Sequence, residues 1–123
     1  IERVVMCSGK IYFDLLEARE KSKNNKLVIV RIEQLYPFPA KTLAKILKRY
    51  KNADYIWCQE EPKNMGAWFA VRDYIQWTLD YIKAKNNNIS YIGRNPAASP
   101  ATGYAKRHIS QQRDIINKVF KDE

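Results

Sequence analysis

Val4-Val5-Met6-Cys7-Ser8-Gly9-Lys10-Ile11-Tyr12-Phe13-Asp14-Leu15-Leu16 changes its hydrophobic period halfway along. The first four residues are a continuous apolar run rich in β-branched side chains, the pattern of a strand buried on both faces. Ser8-Gly9 stops the run. Ile11, Tyr12, Leu15, Leu16 and Arg19 then fall at helical spacing, with charged residues between them. A buried strand followed at once by an amphipathic helix is the building unit of a parallel sheet.

The unit recurs three times. After a polar loop, Lys21–Lys26, Leu27-Val28-Ile29-Val30 repeats the strand pattern. Pro37 and Pro39 stop it, and Pro39 suits the first position of the next helix, whose stripe is Leu43, Ile46, Leu47 and Tyr50. Tyr55-Ile56-Trp57-Cys58 is the third strand, closed by Glu60-Glu61-Pro62, and Asn64 is the expected cap of the third helix. Trp68, Val71, Arg72, Ile75, Leu79 and Ile82 are its expected inner face. Ile89-Ser90-Tyr91-Ile92 is the fourth strand, closed by Gly93-Arg94. A loop of about twelve residues, 93–104, leads to a last helix with Ile109, Gln112, Ile116, Val119 and Phe120 on one face. The order predicts one α/β domain over residues 1–123, a three-layer α/β/α sandwich with a mainly parallel sheet of about four strands and right-handed crossovers.

Composition narrows the function classes. The chain has 123 residues, 46% of them apolar, which suits one domain with one sheet. No apolar run approaches the ~20 residues of a membrane span. The opening Ile1-Glu2-Arg3 shows neither an initiator Met nor a signal-peptide pattern, and is read as the start of a piece of a longer protein. Cys7 and Cys58 both sit in strand patterns without partner histidines, so they suggest reduced structural thiols and neither a zinc site nor a disulfide framework. The net charge is +9, which would suit a nucleic-acid surface if it were concentrated. It is scattered instead; the longest basic stretches are the pairs Lys48-Arg49 and Lys106-Arg107, and no specific nucleic-acid partner is expected. The fifteen aromatics (three Trp, eight Tyr, four Phe) hint at surface covered by a partner.

In open α/β sheets, ligand and interface chemistry gathers at the carboxyl ends of the strands. The residues expected there are Ser8-Gly9-Lys10, Glu33-Gln34-Leu35-Tyr36, Gln59-Glu60-Glu61 and Gly93-Arg94-Asn95, with Asn64 and Gly66 as further loop and interface candidates. Glu60 and Glu61 are adjacent, so on a strand they point to opposite faces and do not converge on one bond. A loop-positioning role is expected, one of them bonding loop amides or the start of the next helix. Ser8-Gly9-Lys10 lacks the further glycines of a phosphate loop, and Gly9 is expected to let strand and helix approach closely. His108, the single histidine, has no nucleophile elbow to serve. No catalytic residue, cofactor ligand or metal ligand is assigned. The rivals are a basic binding module or adaptor without enzymatic role, and a small hydrolase using Glu60 or His108.

Four stretches in order carry a resemblance: Arg3–Lys10 RVVMCSGK, Val30–Pro39 VRIEQLYPFP, Trp57–Trp68 WCQEEPKNMGAW and Tyr91–Tyr104 YIGRNPAASPATGY. Together they resemble the C-terminal domain of the thiamine-dependent decarboxylase component of 2-oxoglutarate dehydrogenase. The likeness implies the transketolase C-terminal fold, in which a further, antiparallel edge strand would lie upstream of Ile1. It implies a parent enzyme of the citric acid cycle that oxidatively decarboxylates 2-oxoglutarate and passes the succinyl group to lipoyl-lysine. Thiamine diphosphate and Mg²⁺ would be held by other domains, and this domain would brace them and help form a homodimer. The dihydrolipoamide succinyltransferase component would be a partner, in a bacterial cytoplasm or a mitochondrial matrix. Some relatives bind acetyl-CoA or a nucleotide as effector at the seam with the neighbouring domain; the matching positions are Gln34 and Lys41, with Ala40 where some relatives carry a basic residue.

Overall fold

The computed structural model describes residues 1–94 and 105–121, the first four residues of the last helix by backbone alone. The elements are β1 (Arg3–Cys7), α1 (Ile11–Ser22), β2 (Leu27–Arg31), α2 (Ala40–Leu47), a 3-10 turn (Lys48–Tyr50), β3 (Asp54–Pro62), α3 (Trp68–Tyr81), β4 (Ile89–Arg94) and α4 (Ala105–Phe120). The strand order is β2-β1-β3-β4, and every pairing among the described residues is parallel.

Side chains alternate across the sheet and so divide the core in two. Val4, Met6, Tyr55 and Trp57 pack with Leu43, Ala44 and Leu47 of α2 and with Val71, Ile75 and Leu79 of α3. Val5, Cys7, Ile56 and Cys58 pack with Ile11 and Leu15 of α1 and with Ile115 and Val119 of α4. Both faces of β1 are therefore fully buried, which is why its sequence is a continuous apolar run and not an alternation. The chain moves from β1 to β2 in one direction and from β2 across to β3 in the other. The covering helix changes face at that reversal, as right-handed crossovers require.

Several boundaries differ from the sequence pattern. β3 does not close at Glu60 but runs on through Pro62, because Lys63 N–H donates to the Arg94 carbonyl at 3.1 Å and the Pro62–Arg94 pairing resumes after an irregularity in the ladder. Pro39 occupies the cap position and not the first turn of α2. The cap of α3 is Ala67, with no side-chain cap, so Asn64 does not serve there. Arg72 is exposed and Thr78 takes the inward place, its hydroxyl donating back to the Tyr74 carbonyl at 2.8 Å, which satisfies the polar group in the core. In α4 the buried pair is Ile115 and Val119, while Ile109 is 57% exposed. Gly9 has φ +84° and open space around a would-be Cβ. It is required by the left-handed turn out of β1 and not by close approach. The loop 95–104, with most of the fourth resemblance stretch, and the His108 side chain lie outside the described residues.

Candidate functional site

The direction reversal lies between β1 and β3, so the crevice beyond their carboxyl ends is where an open α/β sheet places a ligand or an interface. A cleft of about 410 Å³ opens there, and Ser8, Gly9, Leu35, Gln59, Glu61 and Gly66 are among its lining residues. Six of the expected residues are thus brought together: Ser8 and Gly9 from the end of β1, Leu35 from the loop after β2, Gln59 and Glu61 from β3 and Gly66 from the turn before α3.

Glu60 is absent from this group because it faces the other side of the sheet. Its Oε2 accepts from Gln112 Nε2 of α4 at 3.3 Å, and the same amide donates to Asp14 Oδ2 of α1 at 3.0 Å. Glu60 therefore fastens β3 to the α1–α4 layer. Glu61 faces the α2–α3 layer. Strand alternation separates the two acids, and no single bond lies between them.

The residue that organises the cleft is Gln59, which is 2% exposed. Its Oε1 accepts from the Trp57 indole N–H at 2.9 Å and from the Trp68 backbone N–H at 3.1 Å. Its Nε2 donates to the carbonyls of Glu61 at 3.2 Å and Pro62 at 3.0 Å. Both acceptor sites and both donors of the amide are used. The first N–H of α3, one of the orphan donors at any helix start, is satisfied by this side chain. The bond expected from an acid to the start of α3 is thus made by its neutral neighbour. A carboxylate could accept from Trp57 and Trp68 but could not donate to Glu61 and Pro62. Gly66 completes the arrangement: a Cβ there would lie 2.6 Å from Gln59 Nε2 and 2.7 Å from its Cδ.

Burial quiets the other polar groups nearby. It pushes the Cys7 thiol up to about 12, against the opposing pull of Arg31, and it raises Cys58 further, with smaller contributions from Cys7, Glu60 and Glu61. Both thiols stay protonated at neutral pH, which removes the thiolate that nucleophilic chemistry needs. Burial likewise raises the Tyr91 hydroxyl to about 12. That hydroxyl donates to the Arg94 carbonyl at 3.0 Å, and the Tyr91 ring lies 5.5 Å from Trp68 and beneath Lys63 at 5.1 Å. Arg94 thus enters the site through its backbone, holding Tyr91 and Lys63.

The remaining expected residues lie elsewhere. Gln34 is exposed in the loop after β2 and donates to the Pro37 carbonyl at 3.0 Å. Lys41 lines a separate groove between α2 and α3, together with Lys45, Lys48, Trp77 and Tyr81. Gln34 does not line that groove. A larger polar groove of about 790 Å³ runs past Glu2, Arg3, Lys23, Asn24 and Asp54 at the amino ends of the strands. Arg3 is occupied there with the Val119 and Lys121 carbonyls at the end of α4. Among the described residues no three of His, Cys, Asp and Glu form a group that could hold a metal ion. No described helix is long and apolar enough to cross a membrane.

Comparison with known proteins gives a consistent result. The family model described as 2-oxoglutarate dehydrogenase C-terminal matches residues 1–120. Proteins named 2-oxoglutarate dehydrogenase E1 component from Brucella anthropi, Brucella ovis and Brucella canis are 53% identical to this chain over 111 residues. The match covers 90% of this chain, which spans 11% of the length of those curated relatives.

Proposed function

This chain belongs to the 2-oxoglutarate dehydrogenase C-terminal family, and from that membership we propose that residues 1–123 are the C-terminal domain of a much longer, thiamine-dependent decarboxylase component. The parent enzyme oxidatively decarboxylates 2-oxoglutarate and passes the succinyl group to lipoyl-lysine of the dihydrolipoamide succinyltransferase component. This domain braces the domains that carry the chemistry and takes part in the homodimer. The observation that carries the reading is the match over residues 1–120 to one end-domain family, together with relatives of which it spans 11%.

The geometry supports a bracing role. At the carboxyl end of the sheet Gln59 and Glu60 are bonded within the domain: Gln59 to the Trp57 indole, the Trp68 backbone N–H and two backbone carbonyls, and Glu60 to Gln112 of α4. Thiamine diphosphate and Mg²⁺ belong, in the parent enzyme, to the other domains, and no step of the reaction runs through the described residues of this one. Contact of Gln34 and Lys41 with an acetyl-CoA or nucleotide effector stays with the proposal as part of the family likeness. The test is 2-oxoglutarate decarboxylation by purified full-length enzyme and by residues 1–123, each supplied with thiamine diphosphate and Mg²⁺. Turnover is expected from the full-length enzyme alone; turnover by residues 1–123 would overturn the reading.

A further inference from the structure

α3 is patterned on two sides. Its inward stripe of Val71, Ile75, Thr78 and Leu79 is completely buried. Its outward side carries Tyr74, Trp77 and Tyr81, exposed by 48%, 56% and 66%. Their spacing of three and four places them in one row along the helix. Trp77 and Tyr81 stack with ring centroids 5.3 Å apart at 11°, and Tyr74 stacks on Phe38 at 5.1 Å and 10°. Beside this row, α2 and the turn after it present Lys41, Lys45 and Lys48. The groove between them, about 370 Å³, has Ala44 and Ile82 in its floor and no carboxylate among its lining residues.

A row of paired, exposed aromatics beside three lysines is the composition of an interface core with a charged rim. Three candidate occupants can be separated by charge. A second copy seated symmetrically would set these lysines against themselves, in a chain that already carries +9. Single-stranded nucleic acid uses stacking and basic residues together, but one row of three lysines neutralises few phosphates and leaves binding weak and salt-sensitive. An apolar protein surface rimmed with carboxylates satisfies both halves of the groove. The chain spans only 11% of its relatives' length, so most of such a polypeptide lies outside the matched part. Covalent linkage holds that remainder at high effective concentration, and a small charged and aromatic contact is then enough to dock it.

We infer that the outer α2–α3 face docks this domain onto the remainder of its own polypeptide, with Trp77 and Tyr81 as apolar anchors and Lys45 and Lys48 paired to carboxylates of the covering surface. The inference rests on the proposal that the chain is a domain of a longer enzyme, and it names the face by which that domain is held.

Hydroxyl-radical footprinting of the full-length enzyme tests it. In the native enzyme, Trp77 and Tyr81 should be oxidised at least about tenfold more slowly than in the same enzyme unfolded in urea, the protection of a face docked more than about nine-tenths of the time. The double variant Lys45→Glu, Lys48→Glu should lose most of that protection, with its circular dichroism and the labelling of Phe13 unchanged. Trp77→Ser, which removes an anchor without adding charge, should make Tyr81 reactive in the same way. Rapid labelling of Trp77 and Tyr81 in the native enzyme would overturn the inference. So would protection that survives charge reversal, or protection that disappears when the enzyme is diluted into monomers, since the cover would then be uncharged or another subunit. Rapid labelling in an enzyme that still turns over 2-oxoglutarate would remove the docking face and leave the domain assignment standing.

Discussion

The two ends of one helix's surroundings handle unusual residues in opposite ways. At the start of α3, within twelve residues, stand two tryptophans, two glutamates, a thiol and a glutamine, and the fold uses nearly all of them internally. Gln59 closes four hydrogen bonds, Glu60 ties β3 to α4, and Cys58 is buried and protonated. On the outer flank of α3, aromatics and lysines with no catalytic look stay exposed beside an open groove. A dense cluster of reactive side chains is therefore a poor marker of chemistry when each has its partner within the fold. Groups left in water at a cost are the better pointer to what the domain touches.

The sealed region should break hard when its centre is changed. Gln59→Leu keeps much of the volume but takes the acceptor from the Trp57 indole N–H and the Trp68 N–H and a donor from the Glu61 carbonyl, while the Pro62 carbonyl keeps the N–H groups of Met65 and Gly66. At ~1–3 kcal/mol for a buried group left unpaired, partly relieved by relaxation, the expected loss is about 3–4 kcal/mol, measured by urea unfolding. A loss within about 0.5 kcal/mol, the range of an ordinary surface change, would mean that the amide network is ornamental.

Gly66→Val should cost somewhat less, about 1–3 kcal/mol, as an overpacked contact usually does. Its new Cβ would press on the Gln59 amide, which cannot swing aside without giving up its bonds. The sharper form is a double-mutant cycle. If Gly66 exists to make room for Gln59, the cost of Gly66→Val should fall by about 1 kcal/mol or more in a Gln59→Ala background. Additive costs would instead trace the glycine to some other neighbour.

The four strands and four helices could be seen in the sequence because β1 and the middle of β3 are buried on both faces, and the edge strand β2 is buried at Leu27 and half-buried at Val28, Ile29 and Val30, so all three read as unbroken apolar runs. The separation of Glu60 from Glu61 was equally visible, since it needs only the two-residue period of a strand. The role of Gln59 was not. A glutamine between Cys58 and Glu60 carries no mark of burial, and its four partners come from residues both near and nine positions away. The clue available was parity: Trp57, Gln59 and Glu61 share a face, and the small Gly66 follows. Asn64 has the chemistry of a cap, but α3 begins four residues later, after a turn whose first bonds run from Met65 and Gly66 to the Pro62 carbonyl. Thr78 replaced Arg72 inside because a hydroxyl can bond its own helix, whereas a guanidinium has no such internal partner. The aromatic row on α3 was ambiguous, because aromatics at helical spacing serve core and interface alike until burial decides.

The claim that the acids of this region serve the fold and not the reaction is tested most directly in the full-length enzyme. The measurement is kcat/KM for 2-oxoglutarate in the double variant Glu60→Gln, Glu61→Gln, beside wild type. Glutamine keeps the shape and can still accept a hydrogen bond from Gln112, so kcat/KM should stay within about twofold, well under the ~1.4 kcal/mol that a tenfold change represents. A fall of about a hundredfold or more, the scale of a lost general acid or base, with the melting temperature unchanged, would contradict the account.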